Sequence, residues 1–126
     1  MLRAGEDYLE TILMIEREQD ESGVRITDIA KKLGVTKPSV IRSIKNLASE
    51  GFVTQESYGD IYLTEKGRLK AGQVLGRHKV IRTFLEEILG VDPEQADADA
   101  CKIEHVVSSE TMEKLSSFIA SEKEKF

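Results

Sequence analysis

The sequence predicts a mainly α fold: an N-terminal winged helix-turn-helix domain with a two-stranded wing, followed by an all-helical domain. Three observations predict it. Residues 27–51 read as a capped short helix, a glycine turn and a second capped helix. Residues 52–65 hold two β-prone runs, FVTQE and IYLTE, joined by the turn-forming SYGD. Beyond Thr64 the apolar residues recur at helical rather than alternating spacing. The boundary is expected near residue 71, giving domains 1–71 and 72–126.

Element by element, Gly5 to Glu18 places Leu9, Ile12 and Leu13 on one helical face, and DESG at 20–23 ends it. Thr27 is the expected N-cap of a helix carrying Ile29, Ala30 and Leu33. Gly34-Val35 makes the turn. Thr36 caps the next helix, with Pro38 in its first turn and Val40, Ile41, Ile44 and Leu47 as its apolar stripe; Gly51 closes it. After the hairpin, Thr64 caps a long helix running to Gly90. Asp92-Pro93 opens another, from Glu94 to about Val107, and Ser108-Ser109 a last one, from Glu110 to about Glu122.

Bulk composition narrows the class. Of the 126 residues, 33% are charged and 40% apolar, which suits a helix-rich globular protein. No apolar run approaches the ~20 residues of a membrane span, and MLRAGEDYLE lacks the apolar core of a signal peptide. The single cysteine cannot form an internal disulfide, in keeping with a reducing, cytoplasmic location. The net charge of −5 is unevenly spread: Val24 to Lys70 carries nine Lys and Arg against five Asp and Glu, +4, while the rest of the chain carries −9. A basic middle between acidic ends is the asymmetry expected of a phosphate-facing segment.

In a winged helix the second helix of the motif enters the major groove. Thr36, Lys37, Ser39, Arg42, Ser43 and Lys45 are its polar side chains opposite the apolar stripe. Arg42 suits a bidentate contact to guanine, whereas Lys37 and Lys45 suit phosphates. Tyr58 at the hairpin tip, with Lys66 and Arg68 behind it, is a further candidate for the DNA backbone or minor groove. The bland alternative is an ordinary solvated face. The run of cap, turn, cap, proline and wing favours double-stranded DNA.

A second constellation lies outside that motif. In CKIEH, Cys101, Glu104 and His105 stand at i, i+3 and i+4, on one face if the segment is helical. Thiolate, carboxylate and imidazole are ligands for divalent transition metals. Asp7 and Glu10 in EDYLE share a face at i, i+3, and GRHKVI supplies His78, the only other histidine. Singly, each has a dull explanation: acids suit a helix N-terminus, and a lone cysteine is usually a small buried hydrophobe. Jointly, they form a donor set.

EDYLETIL, TDIAKKLGVTKPSVIRSIKNL, the wing, RHKVIRTFLEEILGVD and ACKIEHVVS together resemble the diphtheria toxin repressor family, which includes the manganese transport regulators. The resemblance spans nearly the whole chain. It implies a winged-helix domain followed by a helical dimerisation domain, with metal bound between them enabling a homodimer to bind a palindromic operator and repress metal-uptake genes. Carried across by position, it implies Asp7, Glu10, His78, Cys101, Glu104 and His105 as ligands. The pattern is mixed. Asp7 and Glu10 match the manganese branch, in which Cys101 would be glutamate; cysteine there belongs to the iron branch. Arg82 stands where iron-type members carry an acid of an accessory site. No SH3-like third domain is expected after the dimerisation helices, as in the short manganese type.

Three carboxylates, two imidazoles and a thiolate accommodate Mn2+ or Fe2+ as the signal, with Co2+, Ni2+ or Zn2+ able to occupy the site in vitro. Six donors suffice for two ions per subunit, with Glu104 as the bridge. No enzymatic role is expected, since no substrate pocket motif or open catalytic site is evident, and no membrane partner or small organic substrate. The competing expectation is a winged-helix regulator answering a small organic ligand without metal. A structural zinc module is disfavoured by the carboxylates.

Overall fold

The structure, a computed structural model, describes residues 3–19, 23–56 and 59–124. The chain divides into two compact units, Met1–Gln73 and Val74–Phe126.

In the first unit, α1 (Arg3–Glu18) buries Leu9, Ile12, Leu13 and Ile15 against α2 (Ile26–Leu33) and α3 (Lys37–Ser49). Leu9, Ile12, Val24, Ile29, Val40, Ile44 and Ile61 have no exposed surface and form its core, each worth ~1.5–3 kcal/mol when removed from water. Gly34 ends α2 in the left-handed region, φ 67°, where its missing Cβ avoids a steric penalty. Thr36 caps α3 as expected: its Oγ1 accepts from Ser39 N–H at 3.3 Å, and Pro38 occupies the first turn. β1 (Val53–Gln55) and β2 (Ile61–Leu63) pair antiparallel, with Val53 opposite Leu63 and Gln55 opposite Ile61. Tyr58 lies outside the described residues.

Two local expectations are corrected. Thr27 lies within the first turn of α2, and Arg25 occupies the N-cap with no side-chain cap bond. The reason is tertiary: Val24 exchanges two 2.9 Å backbone hydrogen bonds with Ile61, so the chain leaves a β-bridge and enters the helix at once. Ile41 is not part of the buried stripe of α3 but 41% exposed. Lys66 and Arg68 are engaged within the unit. Lys66 Nζ lies 4.3 Å from the Phe52 ring centroid and donates to the Glu50 carbonyl at 2.8 Å, and Arg68 pairs with the buried Glu16.

α4 (Glu65–Thr83) starts where Thr64 closes two ends at once: its hydroxyl donates to Gly51 O at 2.7 Å and accepts from Gly67 N–H at 3.0 Å. A Cβ at Gly67 would overlap the Phe52 carbonyl oxygen, so only glycine fits here. The helix crosses the boundary between the units.

In the second unit α4 does not continue unchanged to Gly90. Residues Phe84–Ile88 widen into a π-helical turn, closed by Leu89 N–H to Phe84 O at 3.1 Å. Asp92 caps α5 (Pro93–Ile103), accepting from Glu94 N–H at 3.2 Å. Ala96 and Ala100, both fully buried, let the α5 backbone approach its neighbours closely. α5 stops at Ile103, earlier than expected, and residues 104–106 form a turn. Ser108 caps α6 (Ser109–Glu124) through Thr111 N–H at 3.1 Å. Phe84 and Phe118 meet edge to face, centroids 6.2 Å apart. Among the described residues no helix is long and apolar enough to cross a membrane.

Candidate metal centre and nucleic-acid interface

The second unit gathers a cluster around Glu104. As the C-cap of α5, with φ −56° and ψ −26°, Glu104 continues the helical path for one residue, so its side chain turns inward and has no exposed surface. His78, projecting from α4, brings Nδ1 to 2.9 Å from Glu104 Oε2. His105, in the turn after α5, has a side chain only 1% exposed and brings Nε2 to 3.3 Å from Glu104 Oε1. That second oxygen has no hydrogen-bond partner among the described residues. A buried carboxylate oxygen left without a donor costs ~1–3 kcal/mol or more, and a cation is the natural group to satisfy it.

His78 is held on its other side too: Nε2 lies 2.7 Å from Asp97 Oδ1. Its pKa is raised from 6.5 to about 9, mainly by the hydrogen bond to Glu104, against the opposing effect of burial and with help from Asp97. Without metal the ring is therefore an imidazolium between two carboxylates at neutral pH. Arg82 Nη1 stands 3.7 Å from the same Asp97 oxygen, and Arg77 donates to the Glu104 carbonyl at 3.4 Å.

Of the six expected ligands, then, the second unit brings His78, Glu104 and His105 together. Cys101 is exposed, one turn back along α5 from the buried Glu104. In the first unit Asp7 and Glu10 stand about one turn apart on α1, Asp7 half-buried and Glu10 buried. On the same helix Glu6 and Glu16 are tied to α4, Glu6 by Lys70 at 3.3 Å and Glu16 by Arg68. Asp97 was missed. The available signal was its spacing: Asp97, Cys101 and Glu104 fall at i, i+4 and i+7, on one side of α5.

On α3 of the first unit, Val40, Ile44 and Leu47 point inward, leaving Lys37, Arg42 and Lys45 exposed and Ser43 half-buried. Thr36 and Ser39 are bound to each other, Oγ to Oγ at 2.9 Å, in addition to the cap bond. Arg42 and the two lysines thus form a cationic outer face on a helix held from behind by α1, α2 and β1.

The first half of the chain, residues 1–61, matches the family profile described as iron dependent repressor, N-terminal DNA binding domain. Residues 64–125 match iron dependent repressor, metal binding and dimerisation domain. An HTH-type transcriptional regulator of Methanocaldococcus jannaschii is 39% identical over 99% of both chains. The chain belongs to the iron dependent repressor family.

This is the diphtheria toxin repressor family, and within it the chain is of the manganese transport regulator type. The transcriptional regulator MntR of Salmonella typhimurium is 38% identical over 90% of this chain and 70% of that protein. Among solved structures, the manganese regulator SloR superposes with a TM-score of 0.81 at 31% identity, over 92% of this chain and 53% of that one. A manganese-dependent transcriptional repressor in complex with manganese gives 0.82 at 29% identity, over 92% and 52%. The chain thus spans about half the length of these solved relatives. Family membership makes it a metal-dependent transcriptional repressor, and a regulator answering an organic ligand is not favoured. The family is one of transcriptional regulators rather than enzymes. The donor set around Glu104 fits a divalent cation on its own chemistry, through one unsatisfied buried oxygen and two imidazoles.

Proposed function

We propose that the chain binds a palindromic operator as a homodimer when Mn2+ or Fe2+ is held by Asp7, Glu10, His78, Cys101, Glu104 and His105, and so represses metal-uptake genes in the cytoplasm. The observation that carries this reading is the state of Glu104: fully buried, flanked by both of the chain's histidines, with one oxygen that has no hydrogen-bond partner among the described residues. The ion supplies charge neutralisation and a fixed coordination geometry. Carboxylate donors suit Mn2+, and the exposed Cys101 thiolate adds affinity for softer ions such as Fe2+, Co2+ and Zn2+. The two oxygens of Glu104 suit a bridging role if two ions bind.

Asp7 and Glu10 sit on the helix that packs against α2 and α3, the DNA-reading pair. The other donors belong to the second unit. An ion ligated by both sets restricts their relative freedom and selects arrangements in which two recognition helices of a dimer sit ~34 Å apart, or a multiple, along the duplex. The shift is bounded by the ion's differential affinity for those arrangements, ~1–3 kcal/mol for a typical coupling.

Selection from a random DNA pool tests this, run with Mn2+, with Fe2+ under anaerobic conditions, and with chelator. Metal-dependent enrichment of a palindrome is expected, and its loss in Glu10→Gln and Glu104→Gln. Equal enrichment in chelator would remove the metal from the reading.

A further inference from the structure

The ring of His78 lies between two carboxylates, and only one of its nitrogens can face an ion. Nδ1 faces Glu104, where the second carboxylate oxygen lacks a donor and a second imidazole stands 3.3 Å away. Nε2 faces Asp97, whose side chain is 56% exposed and whose Oδ1 already has the Arg82 guanidinium 3.7 Å away. The two sides differ in the charge they offer an incoming dication. On the Glu104 side there is an unbalanced buried acceptor, which attracts it. On the Asp97 side a fixed positive charge repels it, and the carboxylate is already shared between the His78 ring and that guanidinium.

We infer that Asp97 is a positioning residue: it accepts the Nε2–H of His78, fixes the tautomer that leaves the Nδ1 lone pair for the metal, and with Arg82 closes the Nε2 side to a second ion. With the Nδ1 lone pair given to the ion, the one proton of the neutral ring sits on Nε2, where the ionised Asp97 carboxylate can only accept it. The nitrogen that carries the proton decides which nitrogen ligates, and a carboxylate behind a ligating histidine orients the ring and raises its basicity. Asp97 acts through His78 and does not itself hold the ion. This rests on the reading of His78 as a metal donor.

Cd2+ is a diamagnetic probe for the full-length protein with 15N-labelled histidine. Cadmium coupling is expected at His78 Nδ1, with Nε2 protonated. Asp97→Ala should lower Cd2+ affinity ~10–100-fold at unchanged stoichiometry, and blur the His78 signals into a mixture of tautomers. Asp97→Asn, whose amide oxygen still accepts Nε2–H, should restore the single tautomer and part of the affinity. Coupling at Nε2, a stoichiometry that falls with Asp97→Ala, or an affinity within about twofold of the parent would each overturn the inference, while sparing His78 as a ligand. Absence of cadmium coupling at either nitrogen would instead remove His78 from the donor set, and the inference with it.

Discussion

His78 and Glu104, 26 residues apart in sequence, are joined by a 2.9 Å hydrogen bond on a carboxylate that has no exposed surface. A buried charge of this kind persists only if something balances it. Without metal, the protonated ring balances one oxygen; the other has no hydrogen-bond partner among the described residues.

Glu104→Gln keeps the shape and removes the charge. Metal affinity should fall by more than the ~10–100-fold typical of an outer partner, with the helical circular dichroism signal retained. Calorimetric titration with Mn2+ gives the comparison. An affinity within tenfold of the parent would take Glu104 out of the centre.

The His78 pKa of about 9, against 6.5 unfolded, makes stability depend on pH. A raised pKa means the folded state holds the proton more tightly. The contribution is therefore complete below about pH 6.5, declines as pH rises, and is gone above about 9. In chelator, the melting-temperature margin of the parent over His78→Gln should shrink across that window. An ion held by His78, as proposed, would displace the same proton, so apparent affinity should rise by up to about tenfold per pH unit through the window. A margin unchanged from pH 6 to pH 10 contradicts the assignment.

On the DNA side, Arg42→Ala should relax base preference at one operator position, a loss of ~1–3 kcal/mol against the preferred sequence only. Lys37→Ala should weaken binding to all sequences and reduce the salt slope by about 1. Competition binding at several salt concentrations separates the two, and matched losses with intact specificity would show that the contacts are sorted wrongly.

Two glycines of α4 should respond oppositely to alanine. Gly67→Ala forces a methyl group into the Phe52 carbonyl and should destabilise the first unit by ~1–3 kcal/mol or more. Gly72, with no described atom within 4 Å of an added Cβ, should gain ~0.5–1 kcal/mol. Urea denaturation of both variants checks this; a stable Gly67→Ala protein would mean the junction of wing and helix is looser than its hydrogen bonds indicate.

Local chemistry by itself determined the order of elements and most of their starts. Thr36, Thr64, Asp92 and Ser108 each cap the backbone a few residues ahead, an interaction written entirely within one short stretch. The donor types were legible in the same way, because carboxylate, imidazole and thiolate are properties of residues. Tertiary structure decided the rest. The pairing of Val24 with Ile61 moved the start of α2 off Thr27, and Phe52, Glu50 and Glu16 engaged two cations that the sequence left facing outward. Above all, the fold put Glu104 rather than Cys101 in the interior and set Asp97 against His78. Burial and contacts between residues 19 or 26 positions apart arise only when helices pack, and no local pattern encodes which side of a ring each carboxylate will reach.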